Sequence, residues 1–251
     1  MSADLRISIT IASTAKAFVA DGSPVISISD VEFAAKIVQL DSAVDSQIAS
    51  DNNGILAFHS SDFRHYAHSF SSGNNFHIAN IPMRFASVRY ALHMLRPAAN
   101  MTDATKESIA GRERATLKKV QSRQGNLMVP QRPLEFSSSD VSQVVVELLQ
   151  MMGRYQSYGD DQGIVFTDTS LFVKDDTTDG TLGTFLFGLD ITAFGGERDD
   201  LFASGANLTA TPVHMELTFD NIPHTVLMTT YASFDTLVQL DLSTGLLDVK
   251  F

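Results

Sequence analysis

The C-terminal third of the chain, residues 184–251, alternates apolar and polar positions in several short runs. One run carries apolar side chains at every second position: Val213, Met215, Leu217 and Phe219. Period-two alternation of this length is typical of half-buried antiparallel strands. Gly, Asn, Asp and Pro, which tolerate turn dihedrals, lie between the runs. The pattern predicts four or five strands that form one layer of a β-sandwich, with residues 225–231 and 237–242 in separate strands.

The first two thirds of the chain contain further runs of the same kind. Alternation predicts strands or extended segments at residues 5–11, 26–37, 55–58, 66–70, 76–81, 86–95, 121–133 and 164–173. The phase of the second run slips at Asp30, which indicates a bulge or a break. For residues 86–95 a short helix is the competing interpretation. Together the runs predict roughly ten to thirteen strands with turn signals between them, the pattern of a sandwich or jelly roll.

One segment has the spacing of an amphipathic helix. Residues 140–152 place apolar side chains at helical intervals: Val141, Val144, Val145, Leu148, Leu149 and Met152. Ser139 or Asp140 can cap the segment, and Gly153 is a helix-stop residue. We expect this helix to cover a sandwich edge or one end of the barrel and to bury Val145, Leu148 and Leu149. A second short helix after Asp41 is as well supported as an irregular loop.

The composition changes at residues 98–119, which contain five basic residues and few large apolar ones. The basic residues are Lys106, Arg112, Arg114, Lys118 and Lys119. A basic run of this kind is more often a solvated face than a nucleic-acid site. We therefore predict a long exposed basic loop without core residues.

Length and composition suit one large all-β domain or two small ones. The chain has 251 residues, 44% of them hydrophobic, which is enough for a sizeable core. It has no cysteine, which removes disulfides and thiolate sites, and a formal charge of −11, which argues against nucleic-acid binding. The N-terminus lacks the layout of a signal peptide, and no apolar run reaches the length of a membrane span. The predicted fold is a single jelly-roll β-sandwich over residues 1–251, with one or two short helices and long loops.

The histidines of the middle region are the best candidates for a metal site. His59, Asp62, His65 and His68 lie close together in sequence. His65 and His68 would share a face on a helix, but on the predicted strand they point to opposite faces. No His-x-His pair of the cupin type occurs in the chain. Surface or packing histidines are therefore the favoured interpretation, and we predict no metal site.

Paired acids offer a second candidate chemistry. They occur at residues 160–161, 175–176 and 199–200, each in a predicted turn, where turn formation explains them without catalysis. The calcium-loop spacing with a terminal Glu, the phosphate loop, the dinucleotide fingerprint and the Gly-x-Ser-x-Gly motif are all absent from the sequence. We predict no catalytic residue and no cofactor, and the chain is not expected to be an enzyme.

Several stretches form a familiar pattern when they are taken in order: residues 30–38, 80–89, 125–130, 185–191, 201–205, 211–217 and 238–242. In pattern and order they resemble the C-terminal jelly roll of double jelly-roll major capsid proteins, most closely those of Polinton-like viruses, adintoviruses and virophages. Chains of that family carry two jelly rolls and are considerably longer. This chain would be one roll of a longer polypeptide, two unusually compact rolls, or one roll completed by a partner.

The resemblance implies a structural virion protein: a major capsid subunit that forms trimeric pseudo-hexagonal capsomers of an icosahedral DNA virus. It would assemble inside the host cell and reside in the virion capsid. Its partners would be copies of itself in homotrimers and neighbouring capsomers, with minor capsid or penton proteins as further candidates. It implies no catalytic residues, no cofactor and no direct contact with nucleic acid. The alternative is a non-catalytic carbohydrate- or protein-binding β-sandwich module, and an enzyme on a sandwich scaffold is a third reading disfavoured by the missing motifs.

Overall fold

The computed structural model describes residues 8–10, 27–32, 34, 41–103, 105–106, 111–137, 139–151, 169–191 and 205–251. The strands in these ranges are β1 (Ile55–Phe70), β2 (Phe76–Ile81), β3 (Val88–Pro97), β4 (Gly111–Arg112), β5 (Leu117–Gln124), β6 (Leu127–Glu135), β7 (Gly183–Thr184), β8 (Phe187–Asp190), β9 (Val213–Phe219), β10 (Val226–Asp241) and β11 (Leu247–Lys250). The helices are α1 (Ser42–Asp51), α2 (Ser142–Met151), α3 (Thr169–Phe172) and a 3-10 turn at Ala98–Met101.

Eight of the strands form two facing antiparallel sheets. One sheet has the order β1-β10-β3-β8, with β11 added beside β10, and the other has the order β2-β9-β5-β6. The first four of these strands thus pair with the last four in reverse order: β1 with β10, β2 with β9, β3 with β8 and β5 with β6. This is the pairing of a long hairpin rolled up into a jelly roll. The predicted fold class, a jelly-roll β-sandwich, is confirmed.

The sandwich core is built from the alternating positions that the sequence indicated. All four apolar residues of the β9 run are buried, whereas the three polar residues between them are only half-buried. The core contains many phenylalanines, and the rings of Phe85 and Phe234 stack with centroids 3.7 Å apart. A second aromatic group consists of Phe136, Phe172, Phe185 and Phe187. Flat rings therefore fill much of the space between the sheets.

The described part of residues 184–251 contains four complete strands, β8 to β11, within the predicted four or five, but they do not form one layer. Strand β9 lies in the four-stranded sheet, and β8, β10 and β11 lie in the other. The chain crosses between the sheets at residues 220–225, where Ile222 is buried. Alternation identifies the buried side of a strand but not the sheet that it joins. The runs at 225–231 and 237–242 are also not separate strands, because β10 is continuous over 16 residues.

Helix α2 packs on the strand at one sheet edge, as expected. Its buried residues are Val144, Leu148 and Met151, and it lies against β8, where a Cβ added to Gly188 would collide with Sδ of Met151. The prediction is confirmed for Leu148. It is wrong for Val145 and Leu149, which are half-buried. The buried side of the helix consists of Val144, Leu148 and Met151, and the helix faces β8 and, less extensively, β6.

The segment after Asp41 is a helix, α1, and not an irregular loop. Oδ1 of Asp41 caps it by accepting a hydrogen bond from the Ala43 amide at 3.0 Å. Residues 88–97 are a strand, as the favoured interpretation held. The predicted strand at 164–173 is wrong over its described part, because residues 169–172 form α3. The predicted strands at 5–11 and 26–37 are described only in part, at residues 8–10, 27–32 and 34, and none of these residues is in a strand.

The prediction of an exposed, core-free loop at residues 98–119 is wrong for its second half. Residues 111–112 form β4, β5 begins at Leu117, and both Ala115 and Leu117 are fully buried. Two charged residues directly after β4, Glu113 and Arg114, are buried as well. Charged side chains can occupy such positions when hydrogen bonds satisfy them, and the partners are supplied by distant segments.

Candidate functional site

Three connections meet at one end of the sandwich. They are the β3–β5 connection, the segment from α3 to β7, and the β9–β10 connection. The backbone amide of Arg114 donates to the carbonyl of Lys174 at 2.7 Å, and that of Asp220 donates to the carbonyl of Thr116 at 3.1 Å. In a rolled hairpin, alternate connections fall at the same end, which explains why segments distant in sequence converge here. We call this region the loop clasp.

A buried carboxylate lies at the centre of the loop clasp. Glu113 has no exposed surface. Its Oε1 accepts a hydrogen bond from Nε2 of His224 at 2.6 Å, and its Oε2 accepts one from the Thr177 amide at 3.0 Å. Oδ1 of Asp176 lies 4.0 Å from Nδ1 of the same histidine. One carboxylate therefore links all three connections.

The pKa values of Glu113 and Asp176 are shifted in opposite directions. Burial raises the pKa of Glu113, and the hydrogen bond and charge of His224 work against that rise. The pKa of Asp176 is lowered: partial burial opposes this, but hydrogen bonds from the Thr178 amide and hydroxyl, together with His224, outweigh it. The imidazole thus lies between an acid that resists ionisation and one that ionises readily.

A second carboxylate, Asp175, joins the first two connections. Its Oδ2 accepts from Nη2 of Arg114 at 2.7 Å, and its Oδ1 accepts from the Thr116 amide at 2.9 Å. The buried Asn100 donates from Nδ2 to the carbonyl of Thr177 at 2.8 Å. Asp175 therefore does more than form a turn, whereas the side chain of Asp176 accepts its hydrogen bonds from Thr178 within the turn, as predicted. The pairs at 160–161 and 199–200 lie outside the described residues.

The loop clasp also holds the one set of metal-type ligands that converges within the described ranges. Ligand atoms of Glu113, Asp176 and His224 all lie within 4.8 Å of one another. An N/O set of this kind suits zinc. However, Nε2 and Oε1 are 2.6 Å apart, whereas two ligands on one tetrahedral zinc are about 3.3 Å apart, from bond lengths near 2.0 Å. The hydrogen bond already explains the convergence, and the geometry favours a structural clasp.

The sequence did not identify this cluster, since its residues come from three distant segments and Glu113 lies in a stretch that otherwise looks solvated. The histidine cluster that the sequence did single out is not brought together. His59, Asp62, His65 and His68 all lie on β1, and the first three are exposed. His65 and His68 are on opposite faces, as expected for a strand, and Nε2 of His68 lies 2.8 Å from the carbonyl of Asn80.

In contrast to the buried polar cluster of the loop clasp, exposed apolar side chains are found where the five-stranded sheet extends beyond the four-stranded sheet. Residues 55–61 of β1, residues 235–241 of β10 and all of β11 form a three-stranded ribbon. Most side chains of its two outer strands are exposed, including Phe58 at 54%, whereas those of β10 are half-buried or, at Thr236, buried. We call this the ribbon. Clustered exposed apolar groups are typical of an interaction surface.

Comparisons with known proteins give structural but not sequence matches. No protein-family model and no curated protein matches the chain. Among solved structures, VP54 of PBCV-1, fitted into a cryo-EM reconstruction of the virophage Sputnik, matches with a TM-score of 0.50 and 9% identity, over 84% of this chain and 55% of VP54. The mavirus major capsid protein matches at 0.41 and 8% identity, over 79% and 42% of the two chains. The 3.5 Å structure of the Sputnik virophage matches at 0.41 and 12% identity, over 78% and 39%.

These structures are double jelly-roll major capsid proteins, as the resemblance in sequence pattern indicated. The chain spans about half the length of the structures that it matches. No helix in the described part of the chain is long and apolar enough to span a bilayer. At 9% identity the likeness to VP54 concerns the fold, and this chain shares with it a jelly-roll β-sandwich.

Proposed function

We propose that this chain is a structural virion protein, a major capsid subunit of an icosahedral DNA virus, which assembles in the host cell and resides in the virion capsid. The observation that carries the proposal is the pairing of eight strands in reverse order, together with the likeness of that fold to VP54. Fold alone does not determine function, so the remaining support must come from the character of the surface and the clasp.

The polar groups of the chain support a structural role. The best-buried cluster, Glu113 with Thr177 and His224, is internally hydrogen-bonded and joins three loops. Such networks rigidify a fold. Exposed apolar side chains lie instead on the ribbon, Phe58 among them, and on the outer face of β2, where Phe76 and Ile78 are exposed. A rigid body with apolar flanks is suited to packing against copies of itself.

In the finer form of the proposal, three copies pack side by side in a homotrimer of pseudo-hexagonal outline that contacts neighbouring capsomers and minor capsid or penton proteins. Heterologous contacts that close on themselves give such a ring. Each pairwise interface should bury upward of about 2,000 Å², as obligate interfaces do. The chain would supply one roll, and the second roll of each unit would come from further polypeptide or a partner.

Native mass tests this proposal. The purified protein is measured by light scattering over a wide concentration range, with assays for carbohydrate binding on the same sample. We expect stable trimers and larger assemblies and no binding of sugars. A protein that stays monomeric when concentrated would overturn the capsid proposal, and a monomer that binds sugars would establish the binding-module alternative.

A further inference from the structure

The outer edge of β1 carries the further inference. β1 is the end strand of its sheet and pairs with β10 over all 16 of its residues. No strand among the described segments pairs with its other edge. A long edge with unpaired amide and carbonyl groups is a template for another strand. Almost every side chain from residue 55 to residue 65 is exposed, so neither face of the strand obstructs an approaching chain.

Opposite charges lie at the middle of this edge. Asp62 and Arg64 are both exposed and, two residues apart, project from the same face. Neither takes part in an ion pair with another described residue. Phe63 lies between them on the other face, with 53% of its surface exposed. The sequence Asp-Phe-Arg is therefore complementary to its own antiparallel copy.

The charges select one register for such a pairing. If two copies of β1 run antiparallel about a two-fold axis at Phe63, Asp62 lies opposite the partner's Arg64 and Arg64 lies opposite the partner's Asp62. If the axis moves by one residue, Asp62 or Arg64 lies opposite its own copy. Opposite charges across a pair of strands stabilise the pairing, and like charges destabilise it. The symmetric register at Phe63 is the best of the three.

We propose that the outer edge of β1 binds the same edge of a second copy of this chain, so that two five-stranded sheets join into one continuous sheet. The interface is isologous, with each opposite-charge pair occurring twice. The remaining facing pairs bring no like charges together: His59 faces the partner's Ala67, and Ser61 faces the partner's His65. This inference does not rest on the proposed function, since the pairing holds whether or not the chain also forms trimers.

Cross-linking tests the register. The chain has no cysteine, so Phe63→Cys introduces one thiol that meets its copy at the axis. Facing Cα atoms in antiparallel strands are about 4.5–5.5 Å apart, within the span of a disulfide. We expect a covalent dimer after mild oxidation. The matched control is Ala57→Cys on the same face of β1, whose thiols would be about 40 Å apart. Equal cross-linking of both variants would indicate random collision and overturn the proposal.

Charge reversal tests the pairing independently. Asp62→Arg and Arg64→Asp should each raise the dimer Kd by about tenfold or more, because both symmetric pairs become repulsive. The double variant restores opposite charges and should return the Kd close to that of the unmodified chain. Asp248→Arg on β11 makes the same change of net charge as Asp62→Arg and should leave the dimer Kd unchanged. A double variant as weak as either single one, or an unmodified chain whose β1 amides exchange slowly while it is monomeric, would contradict the proposal.

Discussion

The two halves of β10 have the same alternating pattern but lie in different surroundings. From Val226 to Phe234 the strand lies between β1 and β3, and its inward side chains are buried against the opposite sheet. From Asp235 to Asp241 its neighbours are β1 and β11, and most of its side chains are half-buried. The change comes where the backbone amide of Asp235 donates to the Ser87 carbonyl at 2.9 Å, just beyond the end of β3.

The difference shows that an alternating strand can serve either the core or the surface. The first half is covered by the second sheet and contributes to stability. The second half belongs to the ribbon, which has no covering layer among the described residues and leaves apolar side chains for a partner. The following three predictions test this division, in order of decreasing effect.

The largest difference is expected between two phenylalanines on adjacent strands. Phe234 is 1% exposed and stacks on Phe85, so Phe234→Ala should lower the free energy of unfolding by about 3–5 kcal/mol. Phe58→Ala in the ribbon should change it by only about 0.5 kcal/mol, as surface substitutions do. Urea unfolding of the monomer measures both. Equal losses would show that the ribbon is part of the core.

A second comparison tests which side of helix α2 belongs to the core. Leu148 is fully buried between α2 and β8, and Leu148→Ala should cost about 2–5 kcal/mol. Val146 on the same helix is 37% exposed, so Val146→Ala should cost clearly less. Thermal or urea unfolding gives the two values. If Leu148→Ala cost well under 2 kcal/mol, α2 would be peripheral to the sandwich.

The smallest effect concerns the loop clasp and depends on pH. Burial raises the pKa of Glu113, so the native state binds its proton more tightly than the unfolded chain does. The contribution of Glu113 to stability is therefore fully present below its unfolded pKa, about 4.3, and is lost as pH rises through the raised pKa. Glu113→Gln stays neutral, so the stability of this variant relative to the unmodified chain should rise as pH increases through the raised pKa of Glu113.

The measurement is the free energy of unfolding of both proteins from pH 4 to pH 8. His224 donates a hydrogen bond to Glu113, and Asp176 lies beside the same imidazole, so His224→Gln serves as the control that removes the histidine contribution. A difference between Glu113→Gln and the unmodified chain that is constant over this range, or that grows toward acid pH, would show that Glu113 does not carry a buried charge.

Much of the fold could be predicted from the sequence, because alternation reports burial directly. The run at 213–219 and most of the run at 225–231 are in core strands, and the segment around Leu148 is a helix. The sequence could not show which sheet each strand joins, since either sheet buries the same side of a strand. It also could not show the loop clasp: Glu113, Asp176 and His224 are distant in sequence, and the long-range hydrogen bonds that permit their burial have no local pattern. For the same reason residues 111–119 were predicted to be exposed.

The central claim is that this jelly roll is a rigid unit that assembles with copies of itself through the exposed apolar surfaces at its sides. A cryo-EM reconstruction of the purified, concentrated protein tests it most directly. The account predicts three sandwiches packed side by side about a three-fold axis, with no catalytic cleft between them, and the ribbon or the flanks in the contacts. A reconstruction or projection set that shows only isolated single sandwiches, with the ribbon free in solution at every concentration, would contradict it.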